Sequence, residues 1–277
     1  MDNPMATFKD DIDAARTAIT SEIENGYDVI VVSHSYGGMV GNSVIKGLAK
    51  NPFERQDQDD TGHVVGLILI ASGFTFTGVG FMDLFFGRPP PAWRVNKETG
   101  YAEIVVRPQD FFYSDMPPAE ADYRTSMLST QSLKALFEGG EHAYSGWMDV
   151  PVWYIGTTYD RGLPVIAQRT SVGMARAMGG HVMHTELPTS HSPFLSQPAQ
   201  VVQICLQAYQ EFTGESVDGA SGELGTAQAH SPVPRLWQPT TWYRFGLPLG
   251  VGTLVGWTIL LYRNTRGVWM QILGSDK

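Results

Sequence analysis

Residues 27–41, YDVIVVSHSYGGMVG, decide how the chain is read. Val29, Ile30, Val31 and Val32 form a short β-branched run, the mark of a strand buried inside a sheet. The run halts at small residues around Ser35, and a helical apolar pattern starts at Met39 and continues to Leu48. A strand that turns sharply into a helix pushes one side chain out above the sheet. Small residues two positions before and after that side chain let the backbone bend so tightly. Ser33 and Gly37 flank Ser35 in this way, giving S-x-S-x-G where G-x-S-x-G is usual. Ser35 is therefore read as a nucleophile presented on an elbow. The plainer alternative is a strand–turn–helix joint with an incidental serine.

Upstream, Thr7 followed by Asp10 predicts a capped helix, with Phe8, Ile12, Ala15, Ile19 and Ile23 on one face and Gly26 closing it. Downstream, HVVGLILIAS (63–72), DVPVWYI (149–155) and residues 179–187 read as three further strands, with a helix over 164–177 and a closing helix over about 197–212. Near-unbroken apolar strands alternating with helices predict a parallel sheet covered on both faces. Residues 73–148 break this rhythm. They hold Phe81, Phe85, Phe86, Trp93, Phe111, Phe112 and Tyr113, then a helical stretch near 119–136, and are read as a cap inserted between strands. Such a cap forms the apolar wall of a small-molecule pocket, although most of its aromatics serve to pack it down.

The net charge of −9 over 277 residues excludes the basic surface that a nucleic-acid partner requires. Cys205 is the single cysteine, so no intrachain disulfide can form, and it reads as a small buried hydrophobe. The polar, acidic start of the chain carries no secretory signal, and no N-x-Ser/Thr acceptor occurs, which together suggest a cytoplasmic catalytic part.

Residues 1–213 are thus expected to form the core. Residues 214–241, rich in Gly, Ser, Ala, Gln and Pro, form a linker. The C-terminal segment, residues 242–277, contains FGLPLGVGTLVGWTILLY (245–262) without a charge. As a helix that run reaches roughly 27 Å, close to the ~30 Å of a hydrocarbon core. Trp242, Tyr243 and Arg244 flank one end and Tyr262, Arg263 and Arg266 the other, as a membrane span needs. Gly246, Gly250, Gly252 and Gly256 offer a close-packing face. Pro248, the glycines and two threonines temper the segment's apolarity, so surface binding, partner binding and disorder are the alternatives.

A serine hydroxyl needs a base within hydrogen-bond reach and a third group to orient that base. His191 sits in the loop after the last strand and Asp160 in the loop after the one before, giving the order Ser, Asp, His. Asp149 precedes its strand and Asp83 lies in the cap, so both are weaker rivals for the acid. His34 lies within the elbow and is expected to point elsewhere. His63, His181 and His184 lie at the start of or within strands, and His142 and His230 lie in the cap and linker. His181, His184 and His191 lack the carboxylate or cysteine spacing of a metal set, and no metal is expected.

The segments YDVIVVSHSYGGMVGNSVIKGL, VPVWYIGTTYDRGLPVIAQ and TSHSPFLSQP resemble the α/β-hydrolase superfamily, in its compact branch with plant-type methyl esterases, hydroxynitrile lyases and fungal hydrolases. The likeness covers about residues 5–213. It implies a truncated α/β-hydrolase fold with a helical cap and a C-terminal apolar helix. It also implies Ser35 as nucleophile, Asp160 as acid, His191 as base, the Tyr36 backbone N–H as an oxyanion donor, and no cofactor. The implied activity is that of a serine esterase or thioesterase on a small apolar ester, associated with a membrane through its tail. A hydroxynitrile-type lyase would use the same triad, and a non-catalytic, membrane-anchored binding or scaffold protein is the alternative in kind. Ser33 stands in place of the usual glycine. The resemblance further implies several strands and a helix ahead of the helix near Phe8, including the strand whose loop supplies a second oxyanion N–H. Either that part is missing from this sequence or the protein is a weakly active relative, and the elbow strand should form an exposed sheet edge.

Overall fold

The computed structural model describes residues 3–50, 62–216 and 239–274, the last of these with side chains from 240 to 262. Helix α1 (Phe8–Glu24) begins with a capping box: the Asp10 N–H donates to Thr7 Oγ1 (3.2 Å) and the Thr7 N–H to Asp10 Oδ2 (2.8 Å). Phe8 and Ile12 are buried and Ala15, Ile19 and Ile23 pack beside them, so the stripe read from the sequence is the face that meets the core. Strand β1 (Val29–His34) passes through the elbow into α2 (Gly37–Val44). That helix is shorter than the expected run to Leu48, because Gly47 takes a left-handed backbone (φ 71°) and turns the chain. Strand β2 (Val64–Ile70) follows.

Between β2 and the next strand of the main sheet lies the cap. It contains β3 (Trp93–Asn96), β4 (Tyr101–Ile104), α3 (Pro108–Phe112), α4 (Pro118–Ser126), β5 (Gln131–Ser132) and α5 (Leu133–Phe137). Strands β3, β4 and β5 form a small antiparallel sheet that the sequence reading did not anticipate. The single helical stretch expected near 119–136 is two helices, because residues 131 and 132 pair with β4 instead of continuing α4. Ser132 Oγ also lies 2.7 Å from the Ala6 carbonyl and donates to it, tying the cap to the chain ahead of α1.

The main sheet continues with β6 (Val152–Thr157), α6 (Val165–Ala177), β7 (Val182–Leu187), α7 (Pro193–Ser196) and α8 (Pro198–Thr213). Its four strands are parallel, in the order β1-β2-β6-β7. Leu67, Leu69, Val152 and Tyr154 face one side with α1, α2 and α6, while Ile68, Ile70, Ile155 and Leu187 face Val201, Ile204 and Ala208 of α8. Burial on both faces explains why these strands read as unbroken apolar runs rather than alternating ones. β1 lies at the edge of the sheet, as expected. Val32 on its outward face is 54% exposed, and an open cavity of about 920 Å³ runs beside the strand between α1 and residues 129–132 of the cap.

The expected linker falls mainly on residues outside the described ones. Beyond it come α9 (Pro239–Thr241), a wide π-type turn (Trp242–Gly246) and α10 (Leu247–Gly274). The run Trp242–Tyr262, 21 residues of mean hydropathy 1.5, is long and apolar enough to cross a membrane. Here it lies along α6. A Cβ on Gly252 would sit 1.9 Å from the Thr170 carbonyl oxygen, one on Gly256 2.6 Å from that of Met174, and one on Gly173 2.4 Å from that of Leu249. Of the four glycines singled out in this tail, Gly252 and Gly256 make the close approach to α6. Gly250 faces open space, and Gly246 accommodates the ring of Trp242.

Arg169 of α6 fastens the start of this tail. Its guanidinium pairs bidentately with Glu186 of β7 at 2.7 Å for both bonds, and both side chains are almost wholly buried. The remaining Nη1 donates to the Arg244 carbonyl (2.6 Å), and the guanidinium stacks 3.7 Å from the centroid of the Phe245 ring. Removing one partner of a buried pair leaves an uncompensated charge, so Arg169→Ala should lower unfolding free energy by about 3–5 kcal/mol. Replacing the pair together, Arg169→Met with Glu186→Leu, should recover most of that loss. Urea unfolding measures both, and a single variant within about 0.5 kcal/mol of the wild type would contradict the clamp.

His184, on β7, is buried and neither ring nitrogen makes a hydrogen bond, although Nε2 lies 3.4 Å from Glu186 Oε1, a carboxylate already committed to Arg169. Burial, reinforced by Arg176 and Arg169, pushes its pKa down from 6.5 to about 3. The unfolded chain therefore takes up the proton first. This contribution to stability is complete above about pH 6.5 and declines as pH falls toward 3, by up to about 1.4 kcal/mol per pH unit. Urea midpoints between pH 7 and about 4 should fall less steeply in His184→Leu than in the wild type. Parallel profiles would contradict the assignment.

Candidate active site

The elbow places Ser35 at φ 51°, a left-handed backbone that L-residues other than glycine adopt only when their surroundings hold them there. Three contacts do so. The Ser35 N–H donates to the Ile70 carbonyl (3.1 Å), extending the β1–β2 register by one residue. Its own carbonyl accepts from Ser72 Oγ at 2.6 Å and from the Gly38 N–H at 3.0 Å. Ser72 is in turn held by Tyr154, whose hydroxyl donates to the Ser72 carbonyl (2.5 Å). The elbow's glycines divide the steric work unexpectedly. A Cβ on Gly37, two residues past Ser35, would meet nothing within 4 Å, whereas one on Gly38 would strike Ser72 Oγ at 1.8 Å and one on Gly41 would strike Ser33 Oγ at 2.0 Å. Ser33 is thus accommodated because Gly41 lies over it.

Ser35 Oγ lies 2.9 Å from His191 Nε2, and His191 Nδ1 lies 2.8 Å from Asp160 Oδ2. The three residues read from distant stretches of sequence are therefore brought together in one hydrogen-bonded row at the C-terminal ends of β1, β6 and β7. Ser35 keeps partial exposure while His191 and Asp160 are buried. Asp160 is held by four further donors: Thr157 Oγ1 (2.8 Å) and Gln168 Nε2 (3.3 Å) on Oδ2, and the Gly162 and Leu163 N–H groups (2.7 and 2.8 Å) on Oδ1. Fully buried Gln168 also accepts from the Thr157 N–H (3.0 Å) and donates to the Leu163 carbonyl (2.6 Å), so it knits the whole acid loop together. The rival acids lie elsewhere: Asp83 accepts from the Gly80 N–H within its own turn, and Asp149 follows the helical turn Gly146–Met148 at the start of β6.

His34 corrects the expectation that it points away. Its Nε2–H donates to the His191 carbonyl (2.8 Å), and its ring lies 4.7 Å from that of His191. Burial, with the neighbouring His191, lowers its pKa from 6.5 to about 4, so it stays neutral near pH 7. His34, Gln168 and Ser72 support the site without having been found in the sequence. A glutamine on the apolar, sheet-facing side of α6 was the available signal for Gln168; His34 and Ser72 carried none.

Tyr36, whose backbone N–H follows Ser35 directly, stands at the N-terminus of α2 and donates its hydroxyl to Asp11 Oδ2 (2.9 Å). Burial first, and Asp11 second, raises its hydroxyl pKa. Aromatic groups wall the site. Phe112 lies 5.5 Å from the His191 ring and Phe194 5.0 Å from that of His34, while Phe81 lies 5.7 Å from Tyr36 (all centroid separations). The cap is fixed to the histidine loop by Ser190, whose hydroxyl lies 2.9 Å from the Phe112 carbonyl and also pairs with the Asp115 carboxylate.

Known proteins share this framework. A curated relative, the alpha/beta hydrolase nvfD of Aspergillus novofumigatus, is 27% identical over 217 residues, covering 78% of this chain and 82% of that protein. Among solved structures, a methylesterase, MES16, from Arabidopsis superposes with a TM-score of 0.55 at 17% identity, covering 76% of this chain and 81% of that one. A pyrethroid hydrolase from Sphingobium faniae gives 0.52 at 19% identity, covering 73% and 78%. At such identities these structures speak for the fold alone. Residues 2–204 match the profile of the alpha/beta hydrolase family, and the chain belongs to that family.

Proposed function

We propose that this hydrolase cleaves a small, apolar carboxylic ester or thioester through Ser35, His191 and Asp160. The observation that carries the reading is the unbroken row of hydrogen bonds from Ser35 Oγ through the His191 imidazole to Asp160. In this scheme His191 Nε2 takes the Ser35 proton as Oγ attacks the ester carbonyl. The same proton then passes to the departing alcohol or thiol, leaving an acyl-serine. Water, deprotonated by His191, repeats the attack and releases the acid. Asp160 fixes the tautomer and stabilises the imidazolium. The Tyr36 N–H donates to the oxyanion. Phe112, Phe81 and Phe194 favour an apolar acyl or alcohol group beside the reacting carbon. The fold's kinship with a methylesterase and a pyrethroid hydrolase agrees with ester chemistry. The C-terminal helix associates the protein with a membrane, with the hydrolase core on the cytoplasmic side.

A second reading is a hydrolase-fold protein of weak or lost activity that serves as a membrane-anchored binding or scaffold protein. It is favoured by the open cavity beside β1, whose lining includes His34 and Tyr36, the residues on either side of the serine.

Folded protein should be labelled at Ser35 by a fluorophosphonate, and Ser35→Ala should abolish both labelling and turnover of short p-nitrophenyl esters. Turnover unchanged in Ser35→Ala would reject the nucleophile, and no labelling of folded protein would favour the scaffold. Asp160→Asn, which leaves the geometry while favouring the wrong imidazole tautomer, should lower kcat by about 10⁴-fold with little change in KM. Steady-state kinetics at neutral pH measure this split, and a loss under about tenfold would remove Asp160 from the mechanism.

A further inference from the structure

Helix α10 is divided lengthwise. Pro248, Leu249, Gly252, Gly256, Ile259 and Leu260 form the half that faces the protein: Gly252 and Gly256 lie against α6, and Leu249, Ile259 and Leu260 pack against the core cluster. The opposite half carries Leu247, Val251, Leu254 and Trp257, which are 57, 44, 69 and 63% exposed. These side chains recur every three or four residues, so they form a continuous outward stripe. Ile166 of α6 and Tyr243 are also exposed, and both line a small hollow shared with Leu247 and Val251, which widens the apolar surface. No charged residue occurs from 245 to 262, on either half.

The charge around this stripe is one-sided. Residues 242–274 contain Arg244, Arg263 and Arg266 and no aspartate or glutamate, in a chain whose net charge is −9. An apolar stripe flanked in sequence by Trp242, Tyr243 and Arg244 on one side and by Tyr262, Arg263 and Arg266 on the other matches an anionic lipid surface. It fits a second copy of the chain poorly. An antiparallel pairing of two such helices would set the arginines of one end against those of the other, and the small-residue seam is already occupied by α6.

Crossing the bilayer would require α10 to leave α6. That move would uncover the Gly173 face and break the contacts of Arg169 with the Arg244 carbonyl and the Phe245 ring. Lying flat keeps all of them. We propose that α10 is an in-plane anchor: docked on α6 by its glycine seam, it sinks its Leu247–Val251–Leu254–Trp257 face into the interface of an anionic membrane. The proposal rests on the membrane association suggested above and commits it to a geometry.

The test uses the full chain with sedimented vesicles of phosphatidylcholine, alone or mixed with phosphatidylserine. Binding should be roughly a hundredfold stronger to the mixed vesicles, weaken in high salt, and be reversed by alkaline carbonate. Leu254→Glu should weaken it by about tenfold or more without altering thermal unfolding or esterase activity. Gly252→Leu, which breaks the seam rather than the outward face, should make α10 accessible to protease. Resistance to carbonate, with Trp257 fluorescence quenched by lipids brominated near the bilayer centre, would overturn the in-plane geometry while leaving membrane association intact. Failure to bind either vesicle would overturn both. A dimer seen by light scattering and lost in Leu254→Glu would show that a second copy covers the face, and would overturn the proposal.

Discussion

A serine held in a left-handed backbone has to be kept there by its surroundings, and the rest of this molecule follows from how that is done. The penalty is of order 1–3 kcal/mol, and it is met by contacts that belong to other strands. The Ile70 carbonyl, the Ser72 hydroxyl and, one layer below, the Tyr154 hydroxyl all act on the elbow from β2 and β6. Their reach requires a parallel register, with Ser33 opposite Leu69 and Leu69 opposite Tyr154. The sheet is therefore the device that aims one side chain.

The same register carries the partners. Parallel strands end together at one rim, so loops far apart in the chain meet there. The loop after β6 is rigid because Asp160 and Gln168 share its donors, and the loop after β7 is fixed to the cap through Ser190. His34 adds a bond from the elbow strand to the His191 backbone, so the His191 imidazole is held through its own main chain as well as by Asp160. These buried polar groups are mutually satisfied, which is what permits so much hydrogen bonding beneath a half-exposed serine.

Much of this was legible in the sequence because the signals were physical and local. Unbroken apolar runs marked β1, β2 and β6, the Thr7 N-cap with Asp10 in the first turn marked α1, and the order of Ser35, Asp160 and His191 in successive loops drew them to one rim. What escaped depended on contacts between distant segments. Nothing in residues 119–136 says that two of them will pair with β4, and Ser33 and Gly37 drew attention that belonged to Gly38 and Gly41, whose neighbours come from packing. His34 reads in the sequence as pointing away from the site, whereas folding of the distant loop brings the His191 ring beside it. In the tail, composition gave a helix long enough to cross a bilayer, but the partner of its glycine face, α6, lies about eighty residues earlier and is invisible to composition.

The proposed function requires Ser35 to be a working nucleophile whose oxyanion meets the Tyr36 N–H. A crystal structure of the protein after reaction with a small alkyl phosphonate tests it most directly. Phosphorus should be bonded to Ser35 Oγ, with one phosphoryl oxygen within about 3 Å of the Tyr36 nitrogen and His191 Nε2 beside the departed group's position. An unmodified Ser35, or an adduct with no phosphoryl oxygen within hydrogen-bond reach of the Tyr36 nitrogen, would contradict it.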